Sequence, residues 1–172
     1  MSDFNSHKKR VGYCRDLARK LLVQNGVKKP PVPVEEIAQH EGFVIKYLEG
    51  EPNNFSGILH RELKAIGINA EHPKVRQKFS IAHELGHFLL QHPQEEESLS
   101  VNDESAEWKV CESEANEFAG ELLVPRDLLK LECNNLKNKP IGEIVQAMTI
   151  TFNVSRDVLI IQLSKHGLLM KL

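Results

Sequence analysis

The stretch from Lys74 to Gln91 constrains this chain of 172 residues most, because as a helix it has almost no face for water. With Phe79 set at zero and about 100° per residue, Ile81, Ala82, Leu85, Phe88, Leu89 and Leu90 fill most of the circumference. The exceptions form one wedge: His83, His87, Gln91 and Glu84, at about 40°, 80°, 120° and 140°. A helix apolar nearly all round is buried, so the rest of the fold must wrap it. Its polar wedge must then be satisfied by something specific.

The wedge contains His83-Glu84-Leu85-Gly86-His87. Four residues apart on a helix, the two histidines share a face and can present ring nitrogens to one metal ion. Zinc suits such a pair, with one carboxylate as third ligand and a fourth position open. Glu84 sits too far round to join that arc but close enough to touch a water in the open position. His-Glu-x-x-His is short and occurs by chance; the buried helix around it is what gives it weight. A third histidine ten residues after His83, as in the extended His-Glu-x-x-His-x-x-Gly-x-x-His class, is ruled out because that position is Pro93.

The third ligand is sought on a second long helix, read from about Ser105 to Val124. With Trp108 at zero, Cys111, Ala115, Phe118, Ala119, Leu122 and Leu123 make its apolar face. Glu112 falls between Ala119 and Leu123, at the packing edge. Asn116 lies one turn on, where it could accept the free ring N–H of a ligating histidine. Glu114, Glu117 and Glu121 lie together and read as a solvated face, with Glu114 the alternative ligand.

The remaining pattern is α+β: helices flanking a small antiparallel sheet. Helices are expected at Lys8 to Gln24, closed by Asn25-Gly26, and at Val34 to Glu41. Strands are expected at Phe43 to Leu48, Phe55 to His60 and Lys64 to Asn69, the last two as a hairpin. Gln94 to Ser105, acidic and without a base, reads as a solvated loop. Further helices are expected at Arg126 to Leu131, Ile141 to Thr149 and Ser155 to His166, with Ser155 as N-cap and Gly167 as stop. Residues 1–172 are taken as a single domain, with 132–172 a C-terminal helical segment packed on or appended to it.

Composition narrows the setting. Lys and Arg number 22 and Asp and Glu 24, a net charge of −2, which argues against attachment to nucleic acid mainly by charge. No stretch approaches the roughly 20 apolar residues of a membrane span, and no apolar run follows the first ten residues as in a secretory signal. Cys14, Cys111 and Cys133 are odd in number and far apart, neither a disulfide framework nor a thiolate zinc site. A cytoplasmic protein is expected.

Asn69, Arg76-x-x-Phe79-x-x-Ala82-His83-Glu84-Leu85-Gly86-His87 and Glu112-x-x-Ala115-Asn116-x-Phe118-Ala119-x-x-Leu122-Leu123-Val124-Pro125 together resemble the ImmA/IrrE family of zinc metallopeptidases. The resemblance spans roughly Pro33 to Leu131. It implies a zincin-like fold with a gluzincin active-site helix pair, His83, His87 and Glu112 on zinc, and Glu84 as general base. It also implies a partner, a helix-turn-helix repressor or antitoxin that is cleaved, often in phage, mobile-element or stress circuits.

Two other readings stand beside the peptidase. One keeps zinc but only binds the partner, with no proteolysis. The other reads Ile141 to Leu163 as a DNA-binding helix-turn-helix, although Val158-Leu159-Ile160-Ile161-Gln162-Leu163 is apolar and suits packing better than a groove. An oxyanion donor is not identified; His60, His72 and His92 are candidates, each also readable as a surface histidine. Either strand of the hairpin could pair with an extended substrate.

Overall fold

The computed structural model describes residues 10–93 and 106–169. Along them run α1 (Val11–Gln24), α2 (Val34–His40), β1 (Val44–Leu48), β2 (Gly57–His60), β3 (Ala65–Asn69) and α3 (Lys74–Leu89). Then follow α4 (Ala106–Leu123), α5 (Arg126–Leu136), α6 (Ile141–Phe152) and α7 (Arg156–Lys165). The class is α+β. The expected loop at Gln94 to Ser105 lies outside the described residues.

The sheet departs from expectation in one strand. β2 and β3 form the antiparallel hairpin, Gly57 opposite Ile68 and His60 opposite Ala65. β1 runs parallel to β3, Val44 opposite Ala65 and Leu48 opposite Asn69, so the sheet is mixed, in the order β1-β3-β2. The physical reason is burial. Ile66, Ile68 and Asn69 of β3 are fully buried, whereas β1 and β2 expose Val44, Tyr47 and Ile58, so β3 takes the centre. Residues 49–56 therefore arch past the end of β3 to start β2 on its far side. Asn69 pins that arch, its Nδ2 donating to Phe55 O at 2.9 Å and Pro52 O at 3.1 Å.

α3 is wrapped as its wheel requires. Ile81, Ala82 and Leu85 are fully buried and share one core with Ala18 of α1, Ile37 of α2, Phe118 and Leu122 of α4, and Met148 and Leu159 of the last two helices. α5 runs past Leu131, because Cys133 continues its buried stripe. α6 and α7 meet at 107°. Asn153 makes the corner at φ +53°, and the Ser155 hydroxyl accepts from Val158 N–H as N-cap. α7 turns Leu159, Gln162 and Leu163 inward. Among the described residues no single helix is long and apolar enough to cross a membrane.

The expected solvated face of α4 is buried. Glu114, Glu117 and Glu121 are 2%, 2% and 0% exposed. They face α1 and its N-cap residue, which together supply a cation to each: Arg10 to Glu114 at 2.6 Å, Arg15 to Glu117 at 2.7 Å and Arg19 to Glu121 at 2.8 Å. Lys165 adds a second contact to Glu117 at 2.8 Å. Each buried carboxylate is thus held by a cation whose own side chain reaches solvent, which lowers the cost of desolvating the pair.

Candidate metal centre

Two helices build the centre, and small residues let them approach. A Cβ on Gly86 would stand 2.9 Å from the Phe118 ring and 3.4 Å from Ala115. Glu112 and Asn116 flank Ala115, so this close contact presents both to the histidine stripe of α3. His87 Nε2 lies 2.9 Å from His83 Nε2 and 3.0 Å from Glu112 Oε1, and His83 Nε2 lies 3.4 Å from Glu112 Oε2.

Among the described residues, His83, His87 and Glu112 form a group able to hold a metal ion, their ligand atoms all within 4.8 Å of one another. A tetrahedral ion bonded at about 2.1 Å sets its ligands roughly 3.4 Å apart; the His83–His87 spacing, and the spacing from each histidine to its nearer Glu112 oxygen, come within about half an ångström of that. Two imidazoles and a carboxylate are also the donor set zinc takes. The residues fit the ion. Glu114 is not in the group; its carboxylate is engaged by Arg10 and, at 3.1 Å, by His92 Nε2.

The histidine rings are held on their far sides. His83 Nδ1 lies 3.1 Å from Asn116 Oδ1, the contact that the wheel of α4 points to. His87 is stacked on Trp108, centroids 5.6 Å apart and planes at 19°, and its Nδ1 is 3.0 Å from His92 Nδ1. Burial works against charge on Glu112, but its contacts with His83 and His87 outweigh that and hold its pKa well below the usual carboxylate range. For His83, burial again opposes charge and the Glu112 carboxylate prevails, raising the pKa.

The end of α3 explains how His92 reaches the centre. Gln91, placed in the polar wedge by the wheel, instead leaves the helix at φ +57° and is exposed. His92 N–H donates to His87 O and Gln91 N–H to Phe88 O, both at 3.1 Å, a left-handed helix stop. The turn swings His92 back under His87. Arg61 secures it, Nη2 donating to His87 O at 3.0 Å and to His92 O, a cation at the negative end of the helix.

The centre opens on a cleft of about 1020 Å³ lined by Glu84, Gly57, His60, Arg76 and Trp108, among others. β2 is an edge strand along this cleft. A Cβ on Gly57 would stand 3.1 Å from Ile68 Cδ1, 3.2 Å from Gly67 O and 3.4 Å from Glu84 Oε1, so glycine lets β2 lie close on β3 with the Glu84 carboxylate beside it. Of the histidines considered for an oxyanion, His60 lines the cleft. His72 and His92 are not surface residues: they are 7% and 4% exposed, and His72 Nε2 lies 3.1 Å from Asn53 O. Sequence reasoning did not find the parts played by His92, Trp108, Arg61 or Arg10. The signal for Arg10 was present in the spacing of Arg10, Arg15 and Arg19, at the N-cap and along α1, three cations facing three acids on one helix.

The Peptidase_M78 family model, described as the IrrE N-terminal-like domain, matches residues 38–164. A comparison with curated proteins finds no match. Among solved structures, a Mycobacterium tuberculosis transcriptional regulator shares the fold, with TM-score 0.68 and 17% identity over 88% of this chain. The match takes in 46% of that protein, so this chain spans less than half its length. With more than half of its residues matched to one family and a His-Glu-x-x-His helix at the centre of the fold, the chain belongs to the Peptidase_M78 family of metallopeptidases, the IrrE N-terminal-like domain.

Proposed function

We propose that this protein is a cytoplasmic zinc endopeptidase whose substrate is a helix-turn-helix repressor or antitoxin. The observation that carries the reading is the meeting of His83 Nε2, His87 Nε2 and a Glu112 oxygen beside a cleft that also holds Glu84. Zinc held by these three residues would serve as a Lewis acid toward water and a scissile carbonyl.

Glu84 takes a proton as water adds to the carbonyl carbon and returns it to the amine nitrogen as the C–N bond breaks. The edge of β2 offers ladder positions to an extended substrate, next to Glu84. Asn116 keeps the His83 hydrogen on Nδ1, leaving Nε2 bare. A regulatory substrate agrees with the family resemblance and with a transcriptional regulator among proteins of this fold. Cys14, Cys111 and Cys133 form no disulfide, which suits the cytoplasm. The inward turn of Leu159 and Leu163 and the net charge of −2 favour a protein partner over direct contact with nucleic acid.

The test is zinc content together with cleavage of purified helix-turn-helix repressors and antitoxins from the same organism. Wild type should bind about one zinc per chain and cut one of them, while Glu84→Gln keeps zinc and does not cut. Equal cleavage by Glu84→Gln would remove Glu84 from the mechanism. Zinc-dependent binding of a repressor that no variant cuts would make the protein a binding module.

A further inference from the structure

We propose that Arg10, Glu114 and His92 form a relay that holds the hydrogen of His87 on Nδ1, so that docking of α1 sets the metal affinity of the centre. Arg10 and α1 lie ahead of residues 38–164, the part matched to the family. The inference rests on the reading of His87 as a ligand.

Hydrogen positions along the relay follow from its partners. His87 Nδ1 and His92 Nδ1 are 3.0 Å apart and share one hydrogen. His92 Nε2 faces Glu114 Oε2 at 3.1 Å, and an ionised carboxylate can only accept. His92 therefore carries its hydrogen on Nε2 and offers a bare Nδ1. With a metal on Nε2, His87 donates from Nδ1, and this contact turns its Nε2 toward His83 Nε2 and Glu112. The reverse order would set a bare His92 nitrogen against the carboxylate and put a hydrogen on His87 Nε2, where the metal belongs.

Glu114 is 2% exposed and is fixed in place by Arg10. The Arg10 backbone N–H donates to Oε1 at 2.7 Å, its Nε to both oxygens at 3.0 and 3.2 Å, and its Nη2 to Oε2 at 2.6 Å. Arg10 is the N-cap residue of α1, and α1 is fastened along α4 by Arg15 on Glu117 and Arg19 on Glu121. His83 needs no such support, because Asn116 on α4 fixes it directly. Of the two histidines, only His87 has its hydrogen set through a contact with α1.

Two measurements on the full chain test the relay: ring 15N shifts of the zinc-loaded protein, and zinc affinity by competition with a chromophoric chelator. Wild type should show hydrogen on Nδ1 of His87 and on Nε2 of His92. His92→Phe and Arg10→Met should weaken zinc binding on the order of tenfold or more, and Arg10→Met should move His92 toward the other tautomer. His92→Asn, whose side-chain oxygen stands near the lost Nδ1, should restore affinity relative to His92→Phe. Hydrogen on Nδ1 of His92 in wild type would overturn the relay, as would zinc affinities of folded His92→Phe and Arg10→Met within twofold of wild type. If Phe at 92 prevents folding, Arg10→Met alone decides. Wild type that binds no zinc would instead overturn the metal reading and, with it, the link from α1 to affinity.

Discussion

Gly86 of α3 lies directly against Ala115 of α4, and the contact sets the distance between the histidine stripe and Glu112. A Cβ at Gly86 would meet the Phe118 ring at 2.9 Å and the Ala115 backbone at 3.4 Å, and both neighbours are fully buried. Gly86→Ala should therefore destabilise the protein by about 1–3 kcal/mol through overpacking, and weaken zinc binding by forcing the helices apart. Gly142→Ala, where a Cβ meets nothing within 4 Å, is the control. Thermal unfolding of the two variants checks the first claim; equal stability would mean that α3 and α4 separate freely.

The buried Glu114 should leave a mark on acid stability. Burial raises its pKa, but hydrogen bonds from Arg10 and His92 override that and hold it at about 2, against an ordinary 4.5. A depressed folded pKa means that the contribution is complete above about 4.5 and is lost as pH falls toward 2, where the unfolded chain takes up the proton first. That difference corresponds to roughly 3 kcal/mol. Urea unfolding of the metal-free protein between pH 5 and 2.5 should show stability falling steeply in wild type and less steeply in Glu114→Gln. Parallel slopes would show that Glu114 is not held charged.

Periodicity made the helices legible because burial follows it. The wheel of α3 marks Ile81, Ala82 and Leu85, all of them fully buried, and the wheel of α4 separates Glu112 from Glu114. What periodicity does not carry is the partner of a face. Glu114, Glu117 and Glu121 look solvated on their own helix, and only the arginines of a helix about a hundred residues earlier make their burial affordable. The same limit explains β1, whose strand pattern says nothing of the arch that inserts β3 beside it. His92 lay beyond the helical repeat, so no wheel could bring it to His87.

Asn116 and Glu112 should separate cleanly in a zinc titration. Glu112→Gln removes a charged ligand and should abolish stoichiometric binding. Asn116→Ala leaves the three ligand atoms but frees the His83 ring, and should weaken binding about 10–100-fold. Asn116→Asp, which still accepts from His83 Nδ1, should recover most of that loss. Glu114→Gln should still reach near one zinc at saturation, since its carboxylate lies outside the ligand group. Loss of saturable zinc in Glu114→Gln but not in Glu112→Gln would exchange their roles.

Gln91 sits at φ +57°, a conformation that costs an L side chain about 1 kcal/mol and glycine almost nothing. Its amide hydrogen bond to Phe88 O and that of His92 to His87 O depend on it. Gln91→Gly should raise stability by about 0.5–1 kcal/mol and leave zinc affinity unchanged, because His92 keeps its place. Gln91→Val, β-branched and strained at positive φ, should lower stability by about 1–2 kcal/mol and also weaken zinc binding as the turn opens and His92 withdraws from His87. Chemical denaturation gives the first quantity and chelator competition the second. A valine variant that loses stability but binds zinc like wild type would mean that this turn does not place His92, and that Arg61 alone holds it there.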